Sequence, residues 1–157
     1  MSSIDLNKYS KRIESIIKFS GHNAEEVFAI LGEPDCITDW YLLAKQVHKS
    51  KDSDDFKVEF TFFGMVDEAI LHWDPPHRYI YTAKGPDFPI QEYVAEIRID
   101  MHGEKDGILT WSIFFDEIAG QEFQRVLPVM ITAINEASMH KLAKLIGGHT
   151  VKVNNYE

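Results

Sequence analysis

Residues 121–146 read QEFQRVLPVMITAINEASMHKLAKLI, and within them Phe123, Leu127, Met130, Ile134, Ser138, Leu142 and Leu145 recur every three or four positions. That spacing follows the 3.6-residue turn and predicts one long amphipathic helix, roughly 39 Å at 1.5 Å per residue. Gly147 and Gly148 supply its C-terminal stop. Pro128 lies inside the pattern and removes a backbone hydrogen bond, so either a kink near it or a separate short helix before it is expected.

Upstream the period changes to two. From 42 to 116 the chain reads as six strands broken by turn chemistry at 50–55, Gly64, Asp74-Pro75-Pro76, 84–89 and 102–107. Residues 9–20 add an earlier strand, with Ile13, Ile17 and Phe19 on one face and Arg12, Glu14 and Lys18 on the other, the pattern of a half-buried sheet edge. Between them Asn23 can cap a helix with Glu26 three residues on, and Val27, Phe28, Ile30 and Leu31 form its apolar side until Gly32 and Pro34 stop it. A second short helix is expected over 35–40. Connections this short leave no room for helical crossovers, so the seven strands form an antiparallel meander and the fold class is α+β.

Composition bounds the function. The 157 residues, 45% hydrophobic and 26% charged, suit one ordinary domain over 1–157, with 1–8 and 147–157 as flexible ends. Sixteen Lys and Arg against 25 Asp and Glu give a net charge of -9, which disfavours nucleic acid and anionic membranes as partners. The first residues lack a signal-peptide core, and the longest uncharged apolar run, 126–134, is too short to span a bilayer. A cytoplasmic protein is expected. The lone Cys36 excludes an intramolecular disulfide, fits a reducing compartment, and would be a nucleophile only with a His beside it.

Three segments carry a family resemblance. They are 23–31 (NAEEVFAIL) leading to Trp40, which matches in position, then 71–81 (LHWDPPHRYIY) and 107–115 (GILTWSIFF). Together they resemble the START-like (SRPBCC) superfamily, in particular its polyketide cyclase/dehydrase branch, which shares the birch-pollen-allergen fold. The resemblance extends over about 9–146. It implies a helix-grip architecture, a seven-stranded curved sheet wrapped on the C-terminal helix with a pocket between them. Such framework motifs recur with very different ligands, so they imply structure more than chemistry.

Alternation places Val58, Phe60 and Phe62, Tyr79 and Tyr81, Tyr93, Ala95, Ile97 and Ile99, and Leu109, Trp111, Ile113 and Phe115 inward. Opposite sets hold Lys57, Glu59, Glu92, Glu96, Arg98 and Asp100, better left in water. Core packing alone accounts for many of these aromatics. Yet the facing helix offers Met130, Ala133, Ile134, Ala137 and Ser138, small or flexible residues that leave room for a guest. Candidate ligand-binding residues are therefore Trp40, Phe60, Phe62, Tyr79, Tyr81, Tyr93, Trp111, Met130, Ile134, Ala137 and Ser138, with tyrosine hydroxyls available to orient an apolar molecule.

The strand over 65–74 has no cleanly apolar face: one parity is Met65, Asp67, Ala69, Leu71 and Trp73, the other Val66, Glu68, Ile70, His72 and Asp74. Either way a carboxylate comes inward, Asp67 or Glu68, and burial would raise its pKa to suit acid or base work. His72 and His77 flank the Asp-Pro-Pro turn, but no metal-ligand spacing, phosphate loop, nucleophile elbow or dinucleotide fingerprint is present, so no metal or cofactor is expected. Three functions stay open: a carrier or sensor of a small hydrophobic ligand, an enzyme resembling the cyclases and dehydratases, and a regulatory interaction module. A monomer or modest homodimer is expected.

Overall fold

Asn23 accepts a hydrogen bond from the Glu26 backbone N–H at 2.9 Å, capping the first α-helix as the sequence suggests. The computed structural model describes residues 4–53, 55–116 and 121–156. In chain order its elements are a 3-10 helix (Leu6–Lys8), β1 (Lys11–Ser20), α1 (Ala24–Gly32), a 3-10 turn (Pro34–Cys36), α2 (Ile37–Trp40) and β2 (Ala44–Lys49). Then come β3 (Phe56–Phe60), β4 (Gly64–Asp74), β5 (Arg78–Lys84), β6 (Tyr93–Met101), β7 (Asp106–Phe115), α3 (Gln121–Ile146) and β8 (Gly148–Tyr156). The described strands form one antiparallel sheet in the order β2-β3-β4-β5-β6-β7-β1-β8, which curves around the helices.

Two corrections concern the chain ends. The sheet has eight strands instead of seven, because Gly148–Tyr156, read as a flexible end, pairs with β1. Accordingly β1 is an interior strand held between β7 and β8, and not an edge. Gly147 makes this return possible: its φ of +72° closes α3 in the left-handed region, and a Cβ there would collide with the Ser20 carbonyl.

Helix α3 runs unbroken over the predicted span with Pro128 inside it, so no separate short helix precedes the proline. Its buried face is Leu127, Ile131, Asn135, Ser138, Met139, Leu142, Ala143 and Ile146. Met130 and Ile134 lie at the flank, Leu145 is 40% exposed, and the Phe123 side chain falls outside the described residues. This face packs on β1 and β8, and Ile13 and Ile17 of β1, with Leu109 and Phe115 of the neighbouring β7, complete a closed core.

The other limb of the sheet, β2 to β5, is covered differently. Here α1, the 3-10 turn and α2 supply the cover, anchored where the Tyr79 hydroxyl donates to the Leu31 carbonyl at the end of α1 (2.7 Å) and where the Leu42 N–H donates to Ser138 Oγ (2.9 Å). Among the described residues, no helix is long and apolar enough to cross a membrane.

Candidate functional site

The ambiguous strand resolves through a β-bulge. Ile70 pairs with Tyr81 but His72 with Ile80, so Leu71 is an extra residue and the side-chain parity switches there. Val66, Glu68 and Ile70 face inward before the bulge and Trp73 after it, a set drawn from both sequence parities. Asp67 faces out and pairs with Lys57 across the strand at 3.2 Å.

Two cavities open on this inward surface and meet at Ile37, Trp40, Glu68 and Tyr81, which line both. The inner one is only about 40 Å³, room for a water molecule or two, walled mainly by aromatics that include Tyr41, Phe60, Phe88, Tyr93 and Trp111. The outer one is about 770 Å³, the size of a small-molecule site. Trp73, Tyr79, Ile70 and Ile97 floor it, Leu31 and Gly32 roof it, and Glu33, Lys49, Ser50 and Asp55 stand around it as its polar lining. Ile70 and Trp73, 42% and 49% exposed, present apolar surface to this opening.

Of the sequence-predicted ligand-binding residues, Trp40, Phe60, Tyr79, Tyr81, Tyr93 and Trp111 converge on the two cavities. Phe62 does not: it lies in the β3–β4 turn at φ 75° and is 77% exposed. Met130, Ile134 and Ala137 are not among the described lining residues either, and Ser138 is buried with its hydroxyl accepting from Leu42. Ile131 alone of the described α3 residues reaches a cavity, the inner one. The large space therefore lies between sheet and α1–α2, with α3 packed elsewhere. Sequence reasoning missed Gly32, Glu33, Phe56, Ile70 and Trp73, whose signal was diluted by the bulge and by turn-rich flanks.

The polar groups in this apolar setting differ in their partners. Tyr79 is engaged with Leu31, and Tyr81 accepts from the Trp111 indole N–H at 3.1 Å. The Trp40 indole N–H is buried without a partner. Glu68 is half-buried, and among the described residues its carboxyl has no hydrogen-bond or ion-pair partner. Burial pushes its pKa from 4.5 up to about 8. Desolvation, then the nearby Glu68 charge, likewise hold the hydroxyls of Tyr41 and Tyr79 well above the ordinary range. For Tyr81, burial and the neighbouring Tyr93 act first. Burial, then Tyr41 and Glu68, raise Tyr93 in the same way, so all four phenols stay neutral.

At Cys36 burial and then Asp39, Glu33 and Asp35 raise the thiol pKa and so disfavour the thiolate, against the smaller opposing effect of Lys49. Among the described residues no group of three His, Cys, Asp or Glu side chains is placed to hold a metal ion.

A family model described as polyketide cyclase / dehydrase and lipid transport matches residues 18–147. The chain belongs to that family. The resemblance carried by 23–40, 71–81 and 107–115 is thereby borne out, together with the START-like fold. No curated protein sequence matches. Solved structures that share the family fold include the protein XoxI from Bacillus cereus, with TM-score 0.70 and 13% identity over 86% of this chain and 94% of that one. A START superfamily protein from Mycobacterium smegmatis gives TM-score 0.62 and 11% identity over 87% and 94%. Norcoclaurine synthase from Thalictrum flavum, in complex with dopamine and hydroxybenzaldehyde, gives TM-score 0.64 and 12% identity over 93% and 94%. Identities this low speak for the fold, and the family is one of cyclases, dehydrases and lipid transporters.

Proposed function

We propose that this single-domain protein is a carrier or sensor that binds a small hydrophobic or aromatic molecule in the cavity between β4–β5 and α1–α2. The observation that supports this most is the 770 Å³ space floored by Trp73, Tyr79 and Tyr81, open to solvent yet apolar at its base. Apolar surface exposed there is surface that a guest would remove from water, at about 25 cal/mol per Å². Neutral phenols and the free Trp40 N–H provide the few polar contacts that fix orientation. No cofactor is invoked, the acidic surface favours neither nucleic acid nor membrane insertion, and the lone Cys36 suits a cytoplasmic setting.

Glu68 favours a second reading, a cyclase- or dehydratase-like enzyme. An uncharged carboxyl that can lose its proton near pH 8 is suited to acid or base work beside a bound intermediate.

The test of the cavity is to titrate Nile red, a neutral environment-sensitive dye, into wild type, Ile70→Trp and Ala137→Phe while following thermal unfolding. Ile70 faces the void, so the larger ring should cut dye affinity about tenfold with little change in Tm. Ala137→Phe, outside the lining, should bind as wild type. Equal binding by Ile70→Trp and wild type would overturn the proposal.

A further inference from the structure

Among the described lining residues, Glu68 is a carboxyl whose chemistry the binding of a purely apolar guest leaves unused. It lines both spaces, together with Trp40 and Tyr81, and has no partner among the described residues. We propose, resting on the cavity reading above, that the ligand is a lipophilic amine whose apolar body fills the outer cavity and whose ammonium meets the Glu68 carboxylate beside Trp40 and Tyr81.

Three observations converge on a cation. First, the charged residues that line the outer cavity are Glu33, Asp55 and Glu68 against Lys49 alone, with no Arg or His among the described lining residues. Lys49 is already bonded to Glu33 and Asp35, at 2.7 Å each, so it is not free to receive an anionic ligand. Second, Phe56, Trp73, Tyr79, Tyr81 and Trp40 surround the space, and aromatic faces attract an ammonium when water is excluded. Third, burial disfavours the ionised form of a half-buried carboxyl in an apolar cavity, whereas an ammonium alongside gives that form its charge-assisted partner. An acid ligand would be repelled on average by the net charge of -9.

The pH dependence follows from the groups that face Glu68. Burial holds Tyr41, Tyr79, Tyr81 and Tyr93 neutral, and its hydrogen bonds to Asp35 and Glu33 hold Lys49 charged; Glu33 and Asp55 are the other charged groups of the lining, and Glu68 is the carboxyl that burial raises toward the neutral range. Amine binding needs its ionised form and strengthens from about pH 6 to about pH 8.

The experiment displaces Nile red with phenylbutylamine and with phenylbutanol, which share a carbon skeleton, from wild type and Glu68→Gln. Wild type should bind the amine about tenfold more tightly than the alcohol near neutral pH, rising with pH, and the ratio should fall to about one in Glu68→Gln. Equal affinities in wild type, or an amine preference that survives Glu68→Gln, overturn the amine while leaving the cavity reading intact. Absence of all dye and alcohol binding removes the cavity reading, and the amine with it. Should Glu68→Gln fail to fold, the wild-type ratio and its pH trend decide alone, and a pH-independent ratio overturns the proposal.

Discussion

Glu68→Gln should change how stability responds to pH, because the substitution keeps the shape of the side chain and removes its titration. Unfolded, the Glu68 carboxyl releases its proton near the ordinary 4.5; folded, burial pushes that point up to about 8. Across this window the folded state holds a proton that the unfolded state has lost. The stability contributed is thus fully present below about pH 4.5 and disappears as pH rises through about 8. At about 1.4 kcal/mol per pH unit, a fully dry carboxyl would lose on the order of 5 kcal/mol over the interval between 4.5 and about 8. Glu68 is only half-buried and borders a cavity wide enough for water, so solvent screening should leave about 2 kcal/mol. Urea unfolding of both proteins at about pH 5, 7 and 9 measures it, since every other titration is common to the pair. The two should be nearly equal at the acid end, with the variant ahead by about 2 kcal/mol at the alkaline end. A difference that does not move with pH would refute the placement of Glu68.

Tyr81→Phe leaves the Trp111 indole N–H buried without its acceptor and should cost about 1–2 kcal/mol in urea unfolding; unchanged stability would mean that the bond contributes nothing. Removal of residues 148–157 exposes β1 as an open edge and uncovers the α3 face that packs on β8, so the truncated chain should self-associate or fail to fold. A truncated monomer with the melting temperature of the full chain, by sedimentation and calorimetry, would contradict this.

Much of the architecture was legible because local chemistry and global fold agree. Asn23 reads as a cap and is one, α3 keeps the bounds its period suggests, and the inward residues of β5, β6 and β7 are those that alternation assigns. β8 was not legible for a physical reason. Only Val151 and Val153 mark its buried face among polar neighbours, and its partner β1 lies at the opposite end of the chain. A weak two-residue alternation after a helix stop carries no information about so distant a pairing. In α3 the buried face is centred near Asn135, a polar residue, so a reading that weights apolarity drifts toward Met130 and Ile134 at its flank. In β4 the period itself breaks, and no constant alternation can describe a strand whose parity switches at Leu71.

The first of these misses bears on where the cavity lies. The sequence places the pocket against α3 because α3 is the longest apolar surface facing the sheet. But β8 returns along β1 and, with β1, packs on α3, so that end closes into core. The strands β2 to β5 extend past this closed end, and among the described residues a helix of nine, a 3-10 turn and a helix of four cover them. Short elements with Gly32 and Pro34 between them cannot fill the concave side of a sheet that the Leu71 bulge bends further. The void is a consequence of that mismatch in cover. Ligand selectivity should accordingly reside in β4, β5 and the α1–α2 segment, while substitutions on the buried face of α3 act through stability.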